Sequence, residues 1–173
     1  AGAIMANEHL TAYRLAGFPV AAIASRSRAH AAEVAARHGI ETVHDTPSDL
    51  IADPRIEIVD IAFPPDQQPA LIREALAAPH VRAILAQKPL ALSLDEAIAL
   101  RDEARASGTL LSVNQNMRYD QSIRVLKQLL DRGALGEPVF AAIDMHAVPH
   151  WQSFLEGYDR LTIANMGVHH LDA

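Results

Sequence analysis

Ile56-Glu57-Ile58-Val59-Asp60-Ile61-Ala62 is the stretch that decides the fold. It is dense in β-branched residues, which suit a pleated, half-buried surface, and it predicts a strand. A helical segment from Gln67 to Ala78 follows, and Val81 to Ala86 reads as another apolar strand that closes on Gln87-Lys88-Pro89. Strand, helix and strand in that order cannot be a hairpin. The intervening helix makes it a crossover between parallel strands.

The same alternation extends in both directions from this unit and covers roughly the first 115 residues, the pattern of a parallel α/β sheet. Upstream, Asn7 to Ala16 reads as a helix closed by Gly17, and Phe18 to Ala24 as a short apolar strand. Ser27 can cap the next helix, which carries Ala31, Val34 and Ala35 and stops at Gly39. Downstream, Ser93-Leu94-Asp95-Glu96 reads as a capping box, with Ser93 accepting from a free amide and Glu96 reaching back to the amide of Ser93. That helix ends at Gly108, and Leu110 to Asn114 forms the next strand. Gln121 to Arg132 is amphipathic, with Ile123, Leu126 and Leu130 on one side and Gly133 as its stop. From Pro138 the texture changes, because Val139 to Met145 is an extended run with no prompt helix after it.

A domain boundary is therefore expected near Arg118–Tyr119, giving a nucleotide-binding unit over 1–118 and the start of a second, α+β unit over 119–173. The fold class expected is α/β, a Rossmann-type doubly wound parallel sheet. The chain opens at Ala1-Gly2-Ala3-Ile4 and stops just after Gly167-Val168-His169-His170-Leu171-Asp172, which reads as the start of a helix. Both ends read as cut, so the first strand of the sheet is expected to lie outside the chain.

Composition narrows the function. The chain has 173 residues, half of them hydrophobic, which allows a sizeable core. Its net charge of −6 argues against nucleic acid, since phosphate contacts require a basic stripe. No run approaches the ~18 consecutive apolar residues of a membrane span. With no cysteines, disulfides, thiol chemistry and cysteine-held zinc are excluded.

Three motifs carry chemistry. In Ala1-Gly2-Ala3-Ile4-Met5, Gly2 fits the second glycine of G-x-G-x-x-G, which lets helix N-terminal amides approach a pyrophosphate. Met5 stands where the third glycine would be, and a lone glycine before a helix is more often a plain turn. Ser25-Arg26-Ser27-Arg28 follows the strand at the position where an acid would hold an NAD ribose and an arginine would accommodate a 2′-phosphate. Two arginines and no acid favour NADP over NAD, although Arg28 is equally read as a solvated residue behind a helix cap. Gln87-Lys88-Pro89 puts a lysine at the carboxyl end of a buried strand, where open α/β sheets bind ligands.

At this point the chain resembles the glucose–fructose oxidoreductase / inositol dehydrogenase / rhizopine-catabolism (Gfo/Idh/MocA) family. Gln87-Lys88-Pro89 is similar to its Glu-Lys-Pro, Phe63-Pro64-Pro65 to its Thr-Pro segment, and Asn114 to Tyr119 to its Asn-x-x-Arg-Phe segment. Lys127, Gly133 and Gly136 match its Lys…Gly-x-x-Gly helix end, and Gly167 to Asp172 its Gly-x-His-x-x-Asp signature.

The resemblance implies a dehydrogenase or reductase that moves a hydride between NAD(P) and a sugar- or polyol-like alcohol. It also implies a cytoplasmic protein and a homo-oligomer formed through a carboxyl-terminal sheet beyond Ala173. Carried over residue by residue, Lys88 would bind the reacting hydroxyl, His169 would be the general acid/base and Asn165 would stand beside it. Gly2, Ala3, Ile4, Ser25, Arg26, Phe63, Pro64, Gln87, Lys88, Asn116 and Arg118 would line the cofactor.

His169, His170 and Asp172 are not read as a metal site, because adjacent histidines do not share a helical face. Gln87 and Asn165 replace carboxylates usual in the family, and amides keep shape while losing charge. That leaves a regulatory, non-catalytic nucleotide or sugar binder of the same family as the alternative function.

Overall fold

A computed structural model of the chain describes residues 3–146, 158 and 162–172. The chain divides into two compact units, Ala1–Asn114 and Gln115–Ala173. The division falls at Asn114, a few residues before the expected boundary.

The first unit alternates as the sequence predicts: α1 (Ala3–Ala16), β1 (Ala22–Ile23), α2 (Arg28–His38), β2 (Thr42–Val43), α3 (Pro47–Ala52), β3 (Ile58–Ile61), α4 (Gln68–Ala77), β4 (Ala83–Ala86), α5 (Leu94–Ser107) and β5 (Leu110–Val113). All pairings are parallel. β1 pairs β2, and β3, β4 and β5 form a second sheet in that order. This is the expected doubly wound α/β class, with β1 and β3 in separate sheets among the described residues.

Side-chain alternation decides what each strand buries. Val59 and Ile61 of β3 and Ile84 and Ala86 of β4 point into one core with Ile72 and Ala75 of α4 and Leu100 of α5. Burial of the valine, isoleucine and leucine side chains is the main stabilising term, about 1.5–3 kcal/mol each. Asp60 alternates to the other side of β3, where His9 and Tyr13 of α1 reach it. Helices thus serve both faces of this sheet. A second core joins Ala6 of α1 to Ile23, Ala31, Val34, Ala35 and Ile40.

Local signals explain most ends. Ser27 accepts from the His30 amide at the start of α2, and Gly39 (φ 69°) and Gly108 (φ 75°) stop α2 and α5 in the left-handed region that favours glycine.

Some expectations are corrected. α1 begins at Ala3 rather than Asn7, because Ala3 to Ala6 continue the same helical turn. Of the run Phe18 to Ala24, only Ala22–Ile23 pairs, since β2 offers just two residues opposite it. The capping box at Ser93 is half formed. Ser93 accepts from the Glu96 amide, but the Glu96 carboxylate lies 2.6 Å from Arg73 Nη1, where an ionic partner outcompetes a backbone amide. A complete box forms instead at Thr46 and Asp49, opening α3, an element the sequence reading passed over.

In the second unit, a 3-10 turn (Asn116–Tyr119) leads into α6 (Gln121–Asp131), and a π turn (Thr162–Gly167) leads into α7 (Val168–Asp172). The expected extended run Val139 to Met145 carries no regular secondary structure. Val139 and Phe140 are largely exposed, and no strand partner for them lies among the described residues. The apolar stripe of α6 is likewise exposed at Val125, Leu126 and Leu130. No described helix is long and apolar enough to cross a membrane.

Candidate functional site

The register of the three-stranded sheet levels its carboxyl edge. Ile61 pairs with Ala86, and Ala86 with Val113. Two backbone bonds continue the ladder beyond the strands, Gln87 N–H to the Ile61 carbonyl at 3.2 Å and Asn114 N–H to the Ala86 carbonyl at 2.8 Å. Phe63, Lys88 and Asn114 therefore emerge on one edge, the edge where open α/β sheets take ligands.

Lys88 sits between Gln87 and a cis-bonded Pro89. It is half-buried, and burial lowers the pKa of its ammonium group below the usual lysine range. The loop that carries it is clamped from below by Gln68, the first residue of α4, which is fully buried. Gln68 Oε1 accepts from the Gln87 amide at 2.8 Å, while Nε2 donates to the carbonyls of Gln87 at 2.8 Å, Pro89 at 3.1 Å and Leu90 at 3.2 Å.

A polar network lies beside the same edge. Asp60 Oδ2 accepts from His9 Nδ1 at 2.6 Å and from the Tyr13 hydroxyl at 2.7 Å. An ionised carboxylate only accepts, so Nδ1 of His9 carries the proton. In the neutral ring Nε2 is then an acceptor for Asn114 Nδ2 at 3.0 Å, with Gln87 Nε2 at 3.4 Å. Burial, then the Asp60 charge and its hydrogen bond, push the Tyr13 hydroxyl well above the usual tyrosine range.

The expected cofactor residues of the first unit fall as follows. Gly2 lies outside the described residues, and Ala3 and Ile4 form the first turn of α1. Ser25 is buried just past β1, with its Oγ 3.5 Å from the Ser27 amide, and Arg26 is exposed. Arg28 is taken by Asp45. Phe63 packs against the main core, and Phe63 and Pro64 are half-buried at the end of β3.

The second unit carries the remaining candidates. Asn116 and Arg118 lie on the 3-10 turn, Asn165 on the π turn and His169, buried, on α7. The guanidinium of Arg118 is held by Asp172 through two bonds of 2.8 and 2.7 Å, a fork-on-carboxylate pairing. Among the described residues no group of His, Asp and Glu is arranged to hold a metal ion.

Gln68, His9, Tyr13 and Asp60 were not singled out from the sequence. Asp60 carried a signal, since a carboxylate inside an otherwise apolar strand needs a partner. Gln68 carried none, because its partners are backbone atoms of a loop distant in sequence.

Residues 1–115 match a family model described as an oxidoreductase family with an NAD-binding Rossmann fold. The chain is 31% identical over 159 residues to D-apiose dehydrogenase of Rhizobium rhizogenes, covering 90% of the chain and 46% of that protein. It is 30% identical over 113 residues to scyllo-inositol 2-dehydrogenase (NAD(+)) of Bacillus subtilis, covering 65% of the chain and 32% of that protein. Among solved structures, levoglucosan dehydrogenase in complex with NADH and levoglucosan superimposes with a TM-score of 0.73 at 29% identity, over 79% of this chain and 39% of that one. The chain thus spans less than half the length of these relatives.

Proposed function

The chain belongs to the Gfo/Idh/MocA oxidoreductase family, and on that premise we propose that the protein transfers a hydride between a nicotinamide dinucleotide and a secondary alcohol of a sugar or polyol. The observation that carries the reading is Lys88: a desolvated lysine on the level carboxyl edge of a parallel sheet. The donor set there fits a dinucleotide. The first turn of α1 offers free amides to a pyrophosphate, and Ser25 and Arg26 follow β1 where a ribose would lie.

A bound nicotinamide supplies the hydride acceptor. The chain's own residues handle the proton and the charge. Lys88 stabilises the developing alkoxide, a contribution that grows as water is excluded. His169 takes the hydroxyl proton, because an imidazole titrates near working pH. Asn165, in the turn before α7, orients it. Phe63, Pro64 and Gln87 wall the cofactor, with Asn116 and Arg118 contributing from the following turn. For Arg118 this requires release from Asp172. We propose that residues 1–118 bind the cofactor and that residues from 119 onward bind the substrate.

NADP is the preferred form. Arg28 is committed to Asp45, which leaves the exposed Arg26 to meet a 2′-phosphate, and no acid stands beside it to repel one.

The test is an absorbance screen of the full-length protein with NADP and NAD against D-apiose, scyllo-inositol and levoglucosan. Turnover on at least one sugar or polyol is expected. Tight dinucleotide binding with no turnover on any of them would instead favour a regulatory binder.

A further inference from the structure

We infer that Gln68 is a positioning residue for the reaction: its side-chain amide fixes the backbone on both sides of Lys88 and so sets where the lysine's ammonium group stands. The inference rests on the catalytic reading of Lys88 and adds to it a residue that touches neither substrate nor cofactor.

The geometry is specific to a primary amide. One oxygen accepts the Gln87 N–H at 2.8 Å, and one nitrogen faces three carbonyls, those of Gln87, Pro89 and Leu90, at 2.8 to 3.2 Å. The orientation of the amide follows from its partners. A backbone N–H needs the oxygen, and three carbonyls need the nitrogen. These bonds bracket Lys88, whose own peptide groups lie between Gln87 and Pro89. Gln68 is fully buried and Pro69 beside it is buried at the first turn of α4, so the clamp is anchored in the core, below Ile72 and Ala75. A buried amide with all its partners made is rigid, and leaving those partners unmade in the interior is costly.

Neither Glu nor Met does this. Glu accepts from the Gln87 amide but turns a second oxygen toward three carbonyls unless it is protonated. Met fills the space and makes none of the bonds. His9 and Asp60 reach this loop through the Gln87 side chain.

The experiment uses the full-length protein, Gln68→Met and Gln68→Glu, with Lys88→Ala alone and combined with Gln68→Met. The first readout needs no substrate. Amine labelling with trinitrobenzenesulfonate is followed by peptide mass spectrometry across pH. Within this chain the only lysines are Lys88 and Lys127, so Lys127, exposed on α6, is the internal control. In the unmodified protein Lys88 should label with a midpoint below the ordinary lysine range. In both Gln68 variants that midpoint should rise toward the ordinary lysine value while Lys127 stays put. The second readout is turnover on the substrate from the screen. Gln68→Met should lower kcat on the order of 10²-fold, the scale of a displacement of about an ångström, with little change in KM for the cofactor. It should cost nothing further in the Lys88→Ala background. Gln68→Glu should regain rate as pH falls and its carboxyl protonates.

An unchanged Lys88 midpoint in folded Gln68→Met, or full turnover in it beside a slow Lys88→Ala, overturns the inference alone. Full turnover in Lys88→Ala overturns the catalytic reading itself, and the role of Gln68 in the reaction with it.

Discussion

His9 and Asp60, 51 positions apart, meet at 2.6 Å between Nδ1 and Oδ2, and the same carboxylate oxygen takes the Tyr13 hydroxyl at 2.7 Å. One strand residue thereby fixes two successive turns of α1 and the tautomer of a histidine whose other nitrogen faces Asn114. In the proposed reading α1 opens with the amides that meet the pyrophosphate, and this contact would then set how the helix points at it.

Asp60→Asn should therefore destabilise the protein by about 1–3 kcal/mol, the scale of a buried donor left without its acceptor. The Tyr13 hydroxyl should also titrate at lower pH than in the unmodified protein, while staying above an ordinary tyrosine. Burial, its largest cause, persists, and only the charge and the charged hydrogen bond are lost. Urea unfolding and ultraviolet titration of tyrosine check the two halves. An unmoved tyrosine titration would mean that Asp60 does not charge this network.

Arg26→Asp should reverse the cofactor preference. NADPH is expected to bind the unmodified protein more tightly than NADH, and the substitution should place a carboxylate where the 2′-phosphate would lie. Fluorescence titration with both cofactors measures it. A clear NADH preference before any substitution would remove Arg26 from the phosphate site.

Lys88→Ala and His169→Ala should each lower turnover by roughly 10²–10⁴-fold, the range of a general acid–base group. NADPH affinity should fall more for Lys88→Ala, since Lys88 shares its sheet edge with the other cofactor residues of the first unit. Steady-state kinetics and direct cofactor titration separate the two. Equal loss of cofactor binding in both variants would contradict the division of roles.

Asp53, at the end of α3, ties the residue after β2 to the loop before β3. Its carboxylate holds Arg55 at 2.6 Å and His44 at 3.1 Å. Hydrogen bonds from the Arg55 side chain, and then from its backbone, hold the pKa far below the usual carboxylate range. A depressed folded pKa means the unfolded chain binds the proton first. The stabilisation is full above the ordinary carboxylate pKa of about 4 and is lost as pH falls below it. Asp53→Asn should lower stability at neutral pH and flatten the loss between about pH 5 and pH 2. Thermal melts across that range test it, and an acid limb of unchanged slope would count against the assignment.

The alternation of apolar runs with capped helices was legible in the chain itself. Ile56 to Ala62 and Val81 to Ala86 announce parallel strands, Ser27 opens a helix, and Gly39 and Gly108 end theirs where φ and capping chemistry require. These are local facts, carried by residues within a turn or two of each other. Lys88 was legible for the same reason, since the end of a strand is written in the strand.

What the sequence could not state is which distant groups complete a local one. Glu96 belongs by spacing to Ser93, yet a guanidinium from α4 takes it. Val139 to Met145 reads as an extended run, but an extended run becomes a strand only if another lies beside it. Gln68 looks like an ordinary polar residue at a helix start, and only folding brings it under Gln87, Pro89 and Leu90. Hydrogen bonds and ion pairs are short-range and directional, so their partners follow from the packing of β3, β4, α1 and α4 in space. Periodicity and capping act along the chain, and those alone the sequence determined by itself.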